Sequence, residues 1–365
     1  MVTSDLAVVG IVGAGTMGAG IAQVALEAGH EVLLHDVDQA AIERGRARIG
    51  DGLARRASRL QLNSDSIDHW VAGRLSGLHD APTLGAVGER ANVVIEAALE
   101  DLELKQSIFG ALDAAAPPDT ILATNTSALS VRSIAAATAR PGRVIGLHFF
   151  NPAPLMALVE VVAAARSDAA VADRATALMT AWGKTPVRCA DSPGFIVNRV
   201  NRPFTLEALR MLEAGAATVE AIDSAMRGAG FPLGPFELID LTGLDINFAA
   251  SNGIWTRLGR PDRLRPSDLL GRLIAGGQLG RKAGHGFYRY EGGRRGPVGP
   301  AFAAGATTLE PSQIRSRILT AIEAEARLAV AEGVASEHDI DLALRLGAGH
   351  PSGPFERAAT PTIDR

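Results

Sequence analysis

Between residues 7 and 190 the chain alternates short β-branched runs with longer segments of helical period. Strands that alternate with helices form βαβ units, so the pattern predicts an α/β domain with a doubly wound parallel sheet. The predicted strands are residues 8–12, 32–36, 93–95, 120–123 and 144–149, with 159–162 and 185–188 as candidates at the far edge. We therefore place a first domain at residues 1–190.

The strand pattern ends after Pro193, where helical periodicity takes over in segments such as 199–214 and 219–229. This change predicts an all-α second domain at residues 191–292. The next segment is rich in glycine, proline and alanine, which predicts a linker at 293–310.

Residues 311–365 form a partial internal repeat of the helical domain. The positions that recur are Arg199, Glu207, Gly215, Asp223 and the sequence PLGPFE, which are echoed at Arg317, Glu325, Gly333, Asp341 and the sequence PSGPFE. Matches over some forty residues are hard to ascribe to chance. The second copy has Ser316 where the first has Asn198, which indicates a packing role and not a second active site.

Composition excludes several classes of protein. A net charge of -4 with 21% charged residues predicts no basic surface for nucleic acid. The sequence has no apolar run long enough to span a membrane and no recognisable signal peptide, so neither a membrane protein nor an exported one is expected. The single cysteine, Cys189, rules out an internal disulfide, which suits the cytoplasm. No histidine or cysteine spacing predicts a metal site.

A glycine motif follows the first predicted strand and opens a helix: Gly13, Gly15 and Gly18, with Thr16 and Met17 between them. In this context the motif predicts a Rossmann-type dinucleotide site. The glycines allow a tight turn, close approach of a pyrophosphate and tight helix packing. The positive end of the helix then faces the phosphates. The alternative is a glycine turn before a surface helix.

Asp36 ends the second predicted strand, 21 residues beyond Gly15. A carboxylate there can accept hydrogen bonds from the adenosine ribose, whereas a 2'-phosphate would meet like charge. No arginine follows to receive such a phosphate, so the sequence favours NAD over NADP. Asp36 could instead cap the next helix.

His148 follows a predicted strand, at the carboxyl end where doubly wound sheets bind ligands. A histidine suits the removal of a hydroxyl proton because its pKa lies near working pH. Glu160 lies in the apolar run LVEVV, where pairing with an imidazole would explain a charged side chain. Singly, each residue also fits a structural role, as a satisfied histidine or a solvent-facing glutamate. Together they predict a general base and its carboxylate partner.

Two further polar residues are candidates for holding substrate oxygens. Ser127 follows another predicted strand at the same edge, and Asn198 lies in a predicted helix where the helical domain begins, at the expected domain cleft. Ser127 could alternatively cap a helix, and Asn198 could simply bond to backbone.

The motifs GAGTMGAGIA, NTS, GLHFFNP, PGFIVNR, GPFEL and GRKAGHGFY, together with the Glu160 strand, resemble the 3-hydroxyacyl-CoA dehydrogenase family in order and spacing over residues 7 to 290. The resemblance implies NAD-dependent oxidation of the 3-hydroxyl of an acyl-CoA, such as 3-hydroxybutyryl-CoA, or the reverse, in fatty-acid or related acyl-CoA metabolism. It also implies His148 as base, Glu160 as its partner, Ser127 and Asn198 on substrate oxygens, and a homodimer through the helical domain.

The resemblance assigns further residues to binding. It implies that Glu100, Lys105, Asn151 and Lys282 contact NAD, and that Arg59 lies near the CoA phosphates, although Arg59 could belong to a solvated basic face. The chain departs from the family at Ala157, where relatives often carry Lys or Arg, and at Gly52, where some carry a serine that contacts CoA.

Three alternatives remain open from the sequence. The substrate could be a dicarboxylic 3-hydroxyadipyl-CoA. A β-hydroxyacid dehydrogenase acting on a free acid also joins such a glycine motif to helices, but its GxxGxGxxxK signature is not found. A non-catalytic NAD-binding relative would have lost His148 or Glu160, and both are present.

Overall fold

Within residues 8–192 the strands are β1 (Val8–Val12), β2 (Glu31–His35), β3 (Leu78–Asp80), β4 (Val93–Glu96), β5 (Ile121–Thr124), β6 (Val144–Phe149), β7 (Leu158–Ala163) and β8 (Thr185–Ala190). These eight strands form one sheet in the order β3-β2-β1-β4-β5-β6-β7-β8. The computed structural model describes residues 8–303 and 305–359. The chain divides into two units, Met1–Ser192 and Pro193–Arg365, close to the predicted boundary.

The first six strands run parallel, as predicted. The far-edge candidates are also strands, but β7 runs antiparallel to β6, and β8 is parallel to β7. The sheet is therefore mostly parallel, and its central strands β4, β5 and β6 are buried along their whole length. This burial explains their continuous apolar sequence.

In the described part of this unit the sheet is accompanied by the α-helices α1 (Thr16–Glu27), α2 (Gln39–Arg59), α3 (Ser64–Leu75), α4 (Leu84–Arg90), α5 (Leu102–Ala115), α6 (Val131–Ala135) and α7 (Ala169–Ala181). The arginine-rich segment between the second and third strands is a pair of helices, α2 and α3. α1 packs its apolar side chains into the core of this unit, which also contains the apolar residues of β1, β2 and β4.

The second unit is mostly helical: α8 (Val197–Val200), α9 (Arg202–Glu213), α10 (Val219–Gly228), α11 (Pro235–Thr242), α12 (Leu244–Arg257), α13 (Asp268–Ala275), α14 (Pro311–Ala331), α15 (Glu337–Ala348) and α16 (Pro354–Ala359). A hairpin of β9 (Tyr288–Glu291) and β10 (Arg294–Val298) lies between α13 and α14. Part of the segment predicted as a linker is thus a strand, because its backbone pairs with β9 despite its glycines and proline.

The two copies of the repeat share one capping arrangement. Asp223 accepts hydrogen bonds from the backbone N–H groups of Phe236 and Glu237 in the first turn of α11, and Asp341 accepts the equivalent pair in α16. A carboxylate that satisfies the unpaired N–H groups of a helix start stabilises that helix. The repeated Asp and GPFE positions therefore have the same local function in both copies.

No helix within the described residues, 8–303 and 305–359, is long and apolar enough to cross a membrane.

Candidate active site

The glycine turn between β1 and α1 has the form that a dinucleotide pyrophosphate requires. Gly13 has a φ of +101°, and a side chain on Gly18 would lie 1.7 Å from the Gly13 carbonyl oxygen. A Cβ on Gly15 would meet nothing within 4 Å, so the surface there is open. Gly15 is also the N-cap of α1 and provides no side chain to cap it. The turn thus fits a bound pyrophosphate at a helix N-terminus.

Asp36 lies at the end of β2 and is bonded to this turn. Its carboxylate accepts a hydrogen bond from the Ala14 N–H at 2.8 Å and another from the Asp38 N–H at 3.2 Å. The N-cap of α2 is Asp38, whose side chain accepts from the Ala40 N–H, so the alternative reading of Asp36 as a cap is wrong. The structure therefore fixes the carboxylate beside the glycine turn.

A buried ion pair lies at the end of β4. The Lys105 Nζ is 2.6 Å from Glu96 Oε1, and both side chains are almost completely buried. Glu96 also accepts hydrogen bonds from the Thr124 hydroxyl and the Ala98 N–H, each at 2.7 Å. Glu96 is not among the residues predicted from the sequence. The one signal for it there is a carboxylate at the end of the apolar strand VVIE.

Glu100 connects the loops that follow β4 and β5. It accepts hydrogen bonds from the Thr126 hydroxyl at 2.6 Å and from the N–H groups of Ser127 and Ala128 at 3.0 Å, and Lys105 Nζ lies 3.5 Å away. Burial raises the pKa of the Glu100 carboxyl, but these hydrogen bonds and the charge of Lys105 together lower it below its ordinary value. Glu100 is thus held as a carboxylate that shapes the loop of Ser127.

Ser127 is exposed, in a loop that is attached to the strand of His148. The Asn125 side-chain oxygen in this loop accepts a hydrogen bond from the Phe149 N–H at 2.8 Å. The helix that follows is capped by Ser130, so the alternative reading of Ser127 as its cap is wrong. The structure brings Ser127 and His148 to the same sheet edge through this bond.

His148 and Glu160 are directly opposite each other in the register of β6 and β7. His148 Nδ1 lies 2.5 Å from Glu160 Oε2, and the two residues are 6% and 0% exposed. A solvent-facing role for Glu160 is therefore wrong. A buried carboxylate on Nδ1 fixes the tautomer and orientation of the ring and would stabilise its protonated form.

A basic cavity of about 290 Å³ lies beside α1. Exposed arginines of α2, including Arg59, line one side, and residues 151–155 line the other, with Thr16 also in the lining. Among the predicted binding residues, Arg59, Asn151 and Thr16 therefore lie together, whereas Met17 packs against the core of the first unit. The Gly52 position belongs to this cavity too, where a Cβ would lie 2.0 Å from Gln23 Oε1.

Two predicted site residues lie in the second unit. Asn198 is half-buried on α8. Lys282 forms an ion pair with both carboxylate oxygens of Asp245, at 2.7 Å each. The binding and catalytic roles of all the predicted site residues, including Asn198 and Lys282, stay predictions.

Two family models match the chain. The first, described as "3-hydroxyacyl-CoA dehydrogenase, NAD binding domain", matches residues 8–192. The second, described as "3-hydroxyacyl-CoA dehydrogenase, C-terminal domain", matches residues 194–290 and 314–365.

Known proteins agree with these matches. A 3-hydroxyadipyl-CoA dehydrogenase of Escherichia coli is 46% identical over 292 residues, which are 80% of this chain and 60% of that protein. A 3-hydroxybutyryl-CoA dehydrogenase of Mycobacterium tuberculosis is 43% identical over 77% of this chain and 98% of its own. The crystal structure of a 3-hydroxybutyryl-CoA dehydrogenase from E. coli K12 superposes with a TM-score of 0.88 and 36% identity, covering 97% of this chain and 91% of that one.

The fold, the glycine turn and the His148–Glu160 pair define an NAD-dependent oxidoreductase. The chain belongs to the 3-hydroxyacyl-CoA dehydrogenase family. The predictions of the family, the fold class, the enzyme class and NAD as cofactor are therefore confirmed.

Proposed function

We propose that the chain catalyses reversible hydride transfer between NAD and C3 of an L-3-hydroxyacyl-CoA. The observation that carries this proposal is the buried contact of 2.5 Å between His148 Nδ1 and Glu160 Oε2 at the ligand-binding edge of the sheet. A histidine held in this way can take a hydroxyl proton while a hydride leaves the same carbon.

In the proposed reaction, side chains of the protein transfer the proton and bound NAD accepts the hydride from C3. His148 takes the hydroxyl proton on Nε2, because Glu160 holds Nδ1, and the C3–O bond becomes the carbonyl. Glu160 stabilises the positive ring through its contact with Nδ1. In the reverse direction His148 returns the proton to the C3 oxygen.

Ser127 and Asn198 are proposed to hold the substrate oxygens. The loop hydrogen bonds to Glu100 support this role for Ser127, because they fix its backbone and leave the residue exposed at the sheet edge. Hydrogen-bond donors aimed at a developing oxyanion lower the barrier to reaction.

The basic cavity is the proposed site for the CoA phosphates. Four exposed arginines of α2 line it: Arg48, Arg55, Arg56 and Arg59. Planar guanidinium groups suit phosphate recognition, and several of them on one helix face attract a polyanion. Arg56 is partly neutralised by Glu27 at 3.5 Å, so Arg59 is the stronger candidate.

We propose 3-hydroxybutyryl-CoA or a similar acyl-CoA as the substrate, with 3-hydroxyadipyl-CoA as the alternative. Relatives carrying both names match the chain. Steady-state kcat/KM should be compared for 3-hydroxybutyryl-CoA, a longer acyl-CoA and 3-hydroxyadipyl-CoA, each with NAD and NADP. We expect turnover with NAD and a preference for one acyl group. No turnover of any 3-hydroxyacyl-CoA would overturn the proposal.

The biological setting is also proposed. A single cysteine fits a cytoplasmic enzyme of fatty-acid or related acyl-CoA metabolism. We propose a homodimer through the part of the helical unit that its own second copy leaves uncovered, where Leu241 and Ile246 are 49% and 58% exposed. Light scattering on the full chain tests this, and a monomer at all concentrations would overturn it.

The assignment of residues 311–365 as a truncated repeat also stays a proposal, and the match of the C-terminal domain model to residues 314–365 supports it.

A further inference from the structure

Two ion pairs join the copies of the repeat in a reciprocal way. Arg199 of the first copy contacts Glu325 of the second, with Nε–Oε1 at 2.8 Å, and Arg317 of the second contacts Glu207 of the first at 2.9 Å. The repeat register equates the two arginines and the two glutamates. The contacts therefore follow a local pseudo-twofold relation, in which residue i meets j and j meets i.

The two pairs differ in their surroundings. The side chains of Arg199 and Glu325 are 0% and 1% exposed, whereas those of Arg317 and Glu207 are 43% and 12% exposed. Arg199 also holds Glu332 at 2.7 Å, and Arg263 shares Glu325 at 2.7 Å. The Arg199–Glu325 pair is thus buried, with Glu332 and Arg263 as partly exposed partners, and the Arg317–Glu207 pair is partly solvated.

The buried Arg199–Glu325 pair lies next to a predicted site residue. Asn198 immediately precedes Arg199 on α8, a single helical turn from Val197 to Val200. So short a helix has little stability of its own, and its position depends on tertiary contacts. The partly solvated pair contains Arg317, which follows Ser316, a residue with no proposed role.

We propose that Glu325 is a positioning residue for the dehydrogenase reaction: through Arg199 it holds α8 so that Asn198 is aligned with the substrate oxygen. This proposal rests on the proposed function at one point, the role of Asn198 in holding a substrate oxygen. It gives the second copy of the repeat a direct effect on turnover, although that copy has no site residue of its own.

Glu325→Gln tests the proposal, with Glu207→Gln as the matched control at the pseudo-equivalent position. Displacing a substrate-positioning group by about 1 Å costs up to roughly 100-fold. We therefore expect Glu325→Gln to lower kcat with the acyl-CoA substrate by roughly 10- to 100-fold and to leave the Kd for NADH unchanged. Glu207→Gln should retain kcat within about twofold. Equal effects of the two variants would overturn the proposal.

A double-mutant cycle separates positioning from general destabilisation. If Glu325 acts through Asn198, Glu325→Gln should have almost no further effect on kcat in an Asn198→Ala background, because contributions that act through one group are not additive. Fully multiplicative losses would overturn the proposal while the dehydrogenase activity itself stands. An inactive wild-type chain would instead overturn the proposed function.

Glu325→Asp covers the case in which the glutamine variant does not fold, since it keeps the charge and shortens the reach. We expect a several-fold loss of kcat with a thermal transition close to that of the wild type. An unchanged kcat in Glu325→Asp would overturn the proposal.

Discussion

Glu160 lies opposite His148 in the antiparallel register of β6 and β7, with 2.5 Å between Oε2 and Nδ1. The reversal of β7 is what makes this possible, because it brings the start of β7 to the carboxyl end of β6. The buried carboxylate and the imidazole ring are thus held together by strand pairing, which would give the proposed catalytic pair a rigid support.

Glu160→Gln keeps the shape of the side chain but removes the charge that fixes the His148 tautomer. We expect kcat to fall by roughly 10²- to 10⁴-fold while the Kd for NADH changes little. Steady-state kinetics and fluorescence titration measure the two quantities. The control is Asp173→Asn, which breaks an exposed ion pair with Arg188 in the same unit and should leave kcat unchanged. Comparable kcat in both variants would contradict the role of Glu160.

Asp36 both contacts the glycine turn and is proposed to bind the adenosine ribose. Asp36→Ser should weaken NADH binding and reduce the preference for NADH over NADPH by roughly tenfold, because the like charge that opposes a 2'-phosphate is removed. The ratio of the two Kd values, measured by fluorescence titration, checks this. A ratio unchanged from the wild type would show that Asp36 serves the turn alone.

Lys105→Met would leave Glu96 as a buried carboxylate without its cation. We expect the first unit to lose about 3–5 kcal/mol of unfolding free energy, and Lys105→Met with Glu96→Gln to recover most of it. Urea unfolding can be followed from Trp70 and Trp182 in a Trp255→Phe chain, since the sequence has three tryptophans. Arg188→Met, at an exposed pair, should cost less than about 1 kcal/mol. A similar small cost for Lys105→Met would refute the expectation.

His350 makes the unfolding free energy of the second unit depend on pH. Burial lowers the pKa of His350 to about 3, with a further contribution from the charge of Arg357, whereas the unfolded residue titrates near 6.5. Its stabilising contribution is therefore complete above pH 6.5 and is lost as the pH falls from 6.5 toward 3. From pH 7 to pH 5 the loss is about 2 kcal/mol.

The measurement compares wild type with His350→Gln at both pH values, using Trp255 fluorescence with Trp70 and Trp182 replaced by Phe. Burial also raises the pKa of Asp223 to about 7, which acts in the opposite sense, but this effect is common to both chains and cancels in the difference. The variant should lose less stability than the wild type between pH 7 and pH 5. Equal losses would contradict the assignment.

The sequence predicted those parts of the fold that depend on local pattern. The sequences of β1, β2, β4, β5 and β6 are rich in apolar and β-branched residues, and each of these predicted strands lies within about one residue of the observed one. β3 was missed because its sequence, LHD, has no β-branched residue. The hairpin strand β10 was mistaken for linker because pairing with β9 overrides its glycine and proline content.

The glycine turn and the contact between His148 and Glu160 could be predicted because several residues in combination pointed to each of them, although each residue alone also fitted a structural role. The direction of β7 and the ion pair of Glu96 with Lys105 could not be predicted, because both depend on which elements become neighbours in space. The reciprocal ion pairs between the two copies of the repeat could not be predicted either, because they form only when α14 packs against α9.

His148→Gln tests the central claim most directly. The variant keeps a polar side chain in place of the ring but cannot take the hydroxyl proton, so we predict a fall in kcat of at least roughly 10²-fold with an almost unchanged Kd for NADH. Turnover of 3-hydroxybutyryl-CoA with NAD and titration of NADH binding, both on the purified full chain, give the two numbers. Full activity in His148→Gln would contradict the account.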